Sequence, residues 1–161
     1  MLVNLYTHDR WRTTNQFGTR VCFPSDAQRV LDFCKREFPN ETGWLLEIAH
    51  ALQEGKCVIS VVNHKIVGFA CYDCTGKGYF GPFGVASEYR NKGVGTELLY
   101  DCFDNMKVLG YGYAIIGWVD DTARGFYMKV ADAWCIPESE PYKTLYKRRI
   151  KTAIDFQCAM L

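Results

Sequence analysis

The stretch Val85-Ala86-Ser87-Glu88-Tyr89-Arg90-Asn91-Lys92-Gly93-Val94-Gly95-Thr96 joins a predicted strand to the start of a long predicted helix. Gly93 and Gly95 let the backbone approach a ligand closely and adopt conformations closed to other residues. The unpaired N–H groups of the first helical turn, together with the helix dipole, form an anion site. Arg90 and Lys92 add positive charge. The stretch predicts a phosphate-binding loop, although Gly-x-Gly alone is also typical of a plain turn.

Two other phosphate-binding patterns do not fit this stretch. The P-loop pattern needs a Gly-Lys-Ser/Thr triplet, and the sequence contains none. The dinucleotide pattern G-x-G-x-x-G needs a glycine at the position of Leu98. Neither a P-loop nor a dinucleotide fold is therefore predicted.

Hydrophobic periodicity on both sides of the loop predicts a mixed sheet with helices on both faces. The predicted strands are Met1 to Tyr6, Thr19 to Phe23, Cys57 to Val62, Ile66 to Tyr72, Tyr79 to Ala86, Tyr113 to Val119, Trp134 to Ile136 and Tyr142 to Tyr146. The predicted helices begin at a Ser25–Gln28 capping box, near Thr42, in the glycine loop and at Thr122.

The strand predicted from Tyr79 to Ala86 has an unusual composition. Gly81, Pro82 and Gly84 occupy positions where a central strand favours β-branched residues. Proline donates no ladder hydrogen bond, so this strand should be bulged or splayed from a neighbour.

The segment Arg90–Gly95 resembles the R/Q-x-x-G-x-G/A signature of the GNAT acetyltransferases, and the similarity extends from about Thr19 to Ile136. The resemblance implies an α/β (α+β) GNAT fold whose mostly antiparallel sheet is splayed between the strands ending near Val85 and Val119. It also implies acetyl-CoA as co-substrate, with its pantetheine arm between those strands. The implied cofactor-binding residues are Phe83, Gly84, Val85, Arg90, Asn91, Lys92, Gly93, Val94, Gly95 and Thr96.

A second segment, Asp120 to Lys129, is similar to the family's N-x-x-A-x-x-F/L-Y-x-K pattern. The resemblance gives Tyr127 the role of protonating the departing thiolate; a tyrosine that only packs its ring is the alternative. Asp120 departs from the family's frequent asparagine, and Asp132 stands near its usual glycine.

The implied reaction is acetyl transfer from acetyl-CoA to a primary amine of a small molecule by direct attack through a tetrahedral intermediate. No single residue is indicated as the base; a water chain would serve as well as any of the four candidates Asp73, Glu88, Asp120 and Asp121. A non-catalytic acyl-CoA sensor is the alternative function.

Composition is typical of one ordinary globular domain, residues 1–161, with 1–18 as an N-terminal extension. The net charge is +1, and we expect neither nucleic-acid nor membrane binding.

With no secretory signal in view, we expect a cytoplasmic protein whose eight cysteines are reduced. Only Cys71 and Cys74 have metal-like spacing, so no metal is expected.

Three further questions stay open in the sequence. The basic run Lys147 to Lys151 is typical of a solvated strand end, with nucleic-acid binding as the alternative. An exposed final strand could pair in a homodimer. Aromatic and acidic residues suit either a cationic amine acceptor or, for the aromatics, core packing; they are Phe33, Phe38, Trp44, Trp134, Tyr142, Glu37, Glu41, Glu47 and Glu138.

Overall fold

A six-stranded sheet with helices on both faces forms the centre of the computed structural model, which describes residues 1–7 and 15–139. The strands are β1 Leu2–Asn4, β2 Arg20–Val21, β3 Cys57–Val62, β4 Lys65–Tyr72, β5 Tyr79–Val85 and β6 Tyr113–Ile116. The helices are α1 Ala27–Glu37, α2 Trp44–Gln53, α3 Val94–Val108 and α4 Asp121–Ala131. The spatial order is β1-β6-β5-β4-β3-β2, and every pair is antiparallel except β5–β6. The predicted mixed, mostly antiparallel architecture is confirmed.

Each face of the sheet carries its own hydrophobic core. Successive side chains of a strand point to opposite faces, so Phe69 of β4 packs in the core beneath α1 and α2 while Ala70 packs in the core beneath α3. The first core includes Phe33 of α1 and Ile48 of α2, both essentially buried. The second includes Leu98 from α3 together with the inner residues of α4. Helices on both faces are therefore confirmed.

The start of α1 differs from the predicted capping box. Pro24–Asp26 forms a 3₁₀ turn, and α1 begins only at Ala27. The Asp26 carboxylate, rather than a Ser25–Gln28 pair, accepts the backbone N–H of Phe23 at 3.1 Å. Asp26 also pairs with Arg20 at 2.7 Å, so an ion pair closes this turn. The capping box was wrong because the 3₁₀ turn moves the N-cap of α1 by one residue, from Ser25 to Asp26.

The predicted strand from Tyr113 to Val119 is too long, since β6 ends at Ile116. Gly117 then packs against the Tyr79 ring, where an added Cβ would lie 3.2 Å from a ring carbon. Trp118 has a φ of 43°, a left-handed conformation that turns the chain out of the sheet. The sheet therefore splays beside the end of β6 at Ile116, not near Val119.

The strands predicted near the C-terminus have different outcomes. Trp134 forms a single antiparallel bridge with Leu2, and Trp134 to Ile136 does not extend into a strand. Tyr142 to Tyr146 and Lys147 to Lys151 lie outside the described residues. No helix in the described ranges has both the length and the apolar character needed to cross a membrane.

The opening in the sheet results from the limited pairing of β5 with β6. Only Tyr79 and Phe80 of β5 pair with β6, opposite Ile115 and Ile116. Beyond them, residues 81–85 have no partner strand on this side among the described residues. The predicted splay at the glycine–proline strand is confirmed.

Candidate active site

The gap beside β5 forms a groove of about 1230 Å³ that is lined from both faces of the sheet. On one face, the Phe83 ring stacks on Phe126 of α4 with ring centroids 5.9 Å apart. On the other face, Gly84 lies under Phe38, the residue after α1, where an added Cβ would approach the ring to 2.5 Å. The groove therefore connects the helices of one face with those of the other.

The open edge of β5 presents backbone groups to this groove. The Ala86 N–H donates to the Val67 carbonyl on the β4 side, at 2.9 Å. Backbone groups alternate in direction along a strand, so those of Val85 point to the open side. The Val85 carbonyl accepts a hydrogen bond there from Nε of Arg90, at 3.2 Å. An extended ligand with amide groups could pair with this edge as an added strand.

The predicted phosphate loop lines the groove and leads into α3. Gly93 is the N-terminal cap with a φ of 98°, and Asn91 has a φ of 59°. Glycine adopts this left-handed conformation without strain, and asparagine tolerates it better than most residues. The first hydrogen bonds of α3 are donated by the N–H groups of Thr96 and Glu97 to the Gly93 carbonyl, at 3.0 and 3.1 Å. The N–H groups that precede them lack partners within the helix and form an anion site.

Gly95 is required for close packing of aromatic rings, not for a left-handed backbone conformation as predicted. It lies inside α3, and a φ in the left-handed region is recorded for Gly93 but not for Gly95. An added Cβ on Gly95 would lie 3.1 Å from the Phe83 ring and 3.5 Å from the Phe126 ring. The missing side chain therefore lets two stacked aromatic rings approach the loop.

The ten sequence-predicted cofactor residues divide into two groups. Those that line the groove are Phe83, Gly84, Val85, Arg90, Asn91, Gly93, Gly95 and Thr96. Val94 does not line it, because its side chain is fully buried in the core of α3 and α4. Lys92 does not line it either, and its ammonium group lies over the Tyr89 ring, 5.4 Å from the centroid. The side chains of these two residues therefore do not line the groove.

Glu97 was not singled out from the sequence, yet it joins the loop to the N-terminal segment. Its side chain is buried, with 4% of the residue exposed. The carboxylate accepts the backbone N–H groups of Gln16 and Phe17, at 2.8 and 3.2 Å, and the Thr19 hydroxyl at 3.0 Å. One signal in the sequence could have identified Glu97: it is a carboxylate next to Leu98, on the inward face of a predicted helix. A charge that is buried in this way needs hydrogen-bond partners.

Tyr127 lines the groove from α4. Its ring packs against Phe80, Phe83 and Phe126, with centroid distances from 5.3 to 6.3 Å. Burial, and secondarily the Asp120 charge, raise the pKa of the Tyr127 phenol above its ordinary value of 10.0. The hydroxyl is therefore protonated at neutral pH and can donate a proton or a hydrogen bond.

The two aspartates that depart from the family pattern lie at the two ends of α4. Asp120 caps its start, accepting the Ala123 N–H at 2.7 Å. Asp132 caps its end in a left-handed conformation with a φ of 47°. The helix that carries Tyr127 is thus capped at both ends in spite of these departures.

Only one of the four candidate bases, Asp120, lines the groove. Asp73 accepts the Gly78 N–H at 2.8 Å and the Tyr111 hydroxyl at 2.9 Å, so its carboxylate holds the β4–β5 loop together. Asp121 is exposed and pairs with an arginine of its own helix. Glu88 is exposed beside the loop and does not line the groove.

The aromatic and acidic residues noted in the sequence fall into two groups, those that line the groove and those that do not. Phe38, Glu41, Trp44 and Glu47 line the groove on the side of α1 and α2. Phe33 belongs to the core, and the others described, Glu37, Trp134 and Glu138, do not line the groove. Tyr142 lies outside the described residues.

Comparison with protein families gives a match to the acetyltransferase (GNAT) family over residues 18–131. This chain belongs to the GNAT family. The matched region includes the phosphate loop and Tyr127. A search among curated proteins finds no match.

Solved structures of GNAT proteins share the fold at low sequence identity. An acetyltransferase from Colwellia psychrerythraea has a TM-score of 0.61 at 11% identity, covering 81% of this chain and 49% of that one. A ribosomal-protein-alanine N-acetyltransferase from Brucella melitensis biovar Abortus 2308 has a TM-score of 0.57 at 17% identity, covering 75% and 94%. A GNAT acetyltransferase from Brucella melitensis, in complex with acetyl-CoA, has a TM-score of 0.54 at 14% identity, covering 67% and 79%.

Several other matched structures are longer than the aligned region. This chain covers 57% of a GNAT N-acetyltransferase from Escherichia coli, 28% of one from Kribbella flavida and 45% of one from Pyrococcus horikoshii. It covers 19% of a fungal multi-domain β-N-acetylglucosaminidase.

Proposed function

We propose that this chain transfers an acetyl group from acetyl-CoA to a primary amine of a small molecule. The observation that carries the proposal is one groove that is lined by Gly93 of the phosphate loop, by Tyr127 and, on the opposite face of the sheet, by Trp44. Such a groove holds two substrates end to end, which turns a bimolecular reaction into an effectively intramolecular one. The cytoplasmic location predicted from the sequence is part of this proposal.

The cofactor end of the groove fits a coenzyme A diphosphate and pantetheine arm. The first-turn N–H groups of α3 and the guanidinium of Arg90 supply donors and positive charge for the diphosphate. The open edge of β5 between Phe83 and Val85 supplies backbone partners for the pantetheine amides. The proposed orientation places the thioester beside Tyr127.

The proposed reaction needs a neutral amine and a protonated leaving group. The amine nitrogen attacks the thioester carbonyl, the tetrahedral intermediate collapses, and the C–S bond breaks as the thiolate takes a proton from the Tyr127 hydroxyl. Transfer from an ordinary tyrosine to a thiolate is uphill by about 2 kcal/mol, from pKa values near 10 and 8.5. Burial of Tyr127 increases this difference. We therefore propose that the proton moves while the C–S bond breaks.

Removal of the amine proton is assigned to water in the groove or to Asp120. An amine with a pKa near 10.4 is only about 0.04% neutral at pH 7, so proton removal is an essential step. Asp120 is available because it lines the groove as well as capping α4. Its second oxygen is open to a water-mediated relay.

The test is to incubate the full-length protein with acetyl-CoA and a panel of primary amines and to detect acetylated amines by mass spectrometry. Product detection is preferable to a thiol reagent, because the chain contains eight cysteines. Acetylation of at least one amine above the protein-free rate supports the proposal. Tight CoA binding with no transfer to any amine would favour an acyl-CoA sensor, and absence of CoA binding would refute both functions.

A further inference from the structure

The acceptor end of the groove, defined by Phe38, Glu41, Trp44 and Glu47, combines two aromatic rings with two carboxylates. These residues come from the α1–α2 connection and α2. Every charged residue that this part of the chain contributes to the groove is acidic. The cations that line the groove, Arg90 and Lys129, come from the phosphate loop and α4.

Glu41 and Glu47 differ from other acidic residues nearby because neither forms an ion pair within the described part of the chain. Glu37 pairs with Arg36 at 3.0 Å, and Glu54 pairs with Lys56 at 3.5 Å. Glu47 accepts the Thr75 hydroxyl at 2.9 Å, a contact that orients its carboxylate without neutralising it. The acceptor end therefore has negative charge available for a ligand.

The aromatic rings of this end are fixed by packing. The Phe38 and Trp44 rings lie 5.4 Å apart at an angle of 46°, and both contact the buried Phe69 ring edge-on. Both side chains are partly buried, so their remaining surface faces the groove. Fixed aromatic faces next to carboxylates bind cations by cation–π and charge interactions.

A carboxylate next to the reacting nitrogen would not help the reaction by charge alone. An opposite charge stabilises the ammonium form and raises its pKa, which lowers the fraction of neutral nucleophile. The same carboxylates help when they hold a second cationic group that does not react. Their charge then binds the acceptor and leaves the reacting nitrogen nearer Tyr127 free to lose its proton.

On the basis of the proposed function, we propose that the acceptor is a small dication, with one amine that is acetylated and a second cationic group held by Glu41, Glu47 and the Trp44 face. This inference names the class of substrate and goes beyond acetyl transfer to an amine. The reaction itself is unchanged: the amine nitrogen gains the acetyl group and loses one proton, and CoA leaves as the thiol.

The test compares 1,4-diaminobutane with butylamine, two amines of equal chain length that differ in one amino group. We expect kcat/KM for the diamine to exceed that for the monoamine about tenfold, beyond the statistical factor of two for its two equivalent amines. In the double variant Glu41→Gln/Glu47→Gln, the corrected ratio should fall to about one. The control Glu88→Gln removes a carboxylate outside the groove and should retain the wild-type ratio.

Binding separates this inference from the proposed function. Calorimetry on the CoA-saturated protein should show tighter binding of 1,4-diaminobutane than of butylamine, whether or not turnover is measurable. Equal corrected rates for both amines, or discrimination that persists in the double variant, would overturn the dication proposal while leaving acetyl transfer in place. Preferential diamine binding without transfer would refute the catalytic function alone, and equal binding without transfer would refute both.

Discussion

The carboxylate of Glu97 in α3 accepts a hydrogen bond from the hydroxyl of Thr19 at 3.0 Å, across 78 positions of the sequence. Both residues are buried, and the Thr19 hydroxyl lies 2.8 Å from that of Ser60 in β3. The same carboxylate accepts the N–H groups of residues 16 and 17, and the Phe17 ring lies 3.5 Å from the position of a Cβ on Gly93. One carboxylate thus fixes the N-terminal segment against the phosphate loop.

Replacing Glu97 with glutamine should destabilise the fold and weaken CoA binding. The amide has one acceptor oxygen where the carboxylate has two, and it directs an NH₂ group at donors. A buried donor left without a partner costs about 1–3 kcal/mol, which is the expected fall in the free energy of unfolding measured in urea. Calorimetry below the unfolding range should also show weaker CoA binding.

The matched control is Asp104→Asn, an exposed position on the same helix. Its stability should change by no more than about 0.5 kcal/mol. If Glu97→Gln unfolds at the wild-type urea concentration, the carboxylate does not stabilise the loop.

Gly93→Ala should lose CoA affinity because Gly93 has a φ of 98°. A side chain in this region of the Ramachandran plot costs on the order of 1–2 kcal/mol, and the loop can relieve the strain only by moving its N–H groups. Calorimetric titration with CoA measures the loss. Gly43→Ala is the control, since Gly43 also begins a helix but has a φ of −64° and open space around it. Equal CoA affinity in both variants would contradict the proposed role of the loop.

Tyr127→Phe should reduce turnover at least ~10-fold while CoA still binds, because the variant keeps the packed ring and loses the proton donor. Tyr111→Phe provides a comparison, because it removes a tyrosine hydroxyl outside the groove, where that group donates to Asp73. Acetyl-CoA turnover and CoA affinity should be measured on both. An unchanged kcat in Tyr127→Phe would exclude this hydroxyl from the reaction.

The pH dependence of kcat gives a second test of Tyr127. A general acid must be protonated, and burial raises the pKa of this phenol above its ordinary value of 10.0. The acid form therefore persists through the neutral and mildly alkaline range. We expect no decline in kcat as the pH is raised to 10. A decline in kcat that begins near pH 8 and is absent from Tyr127→Phe would show instead that the phenol ionises readily.

Asp26→Asn should destabilise the fold by about 2 kcal/mol at neutral pH, the typical worth of hydrogen bonds to a charged group. The hydrogen bond from Arg20 holds the pKa of Asp26 below its ordinary value of 3.8. A lowered folded-state pKa gives stability that is present above the unfolded pKa and is lost as the pH falls through the folded one. Unfolding in urea at pH 7 and at pH 3 should show the difference between wild type and variant shrinking at the lower pH.

The exposed Asp32 of α1 offers the control for this experiment. Asp32→Asn changes an exposed carboxylate that accepts a surface hydrogen bond from Gln28, and it should shift stability by less than about 0.5 kcal/mol. A pH-independent difference for Asp26→Asn would contradict the ion pair.

The sequence predicted strands β3 and β4 and the helix that follows the glycine loop because their signals are local. The short run of apolar, mostly β-branched residues in Cys57–Val62 and the helical spacing of Leu98, Leu99 and Cys102 are properties of neighbouring residues. The glycine–proline composition of β5 likewise indicated a splayed strand before any pairing was known. Two motifs, in the glycine loop and around Tyr127, led to the prediction of the GNAT family, and the family match over residues 18–131 confirmed the family.

Tertiary structure alone decided how distant residues meet. The end of β6 at Ile116 depends on the packing of Gly117 against Tyr79, and Glu97 finds its partners 78 to 81 positions away. The sequence also could not separate Phe38 and Trp44 from Phe33, since all three are aromatic residues of α1, α2 or their connection. Which rings face the groove and which face the core is fixed by how the helices pack on the sheet, an interaction between elements that no local pattern encodes.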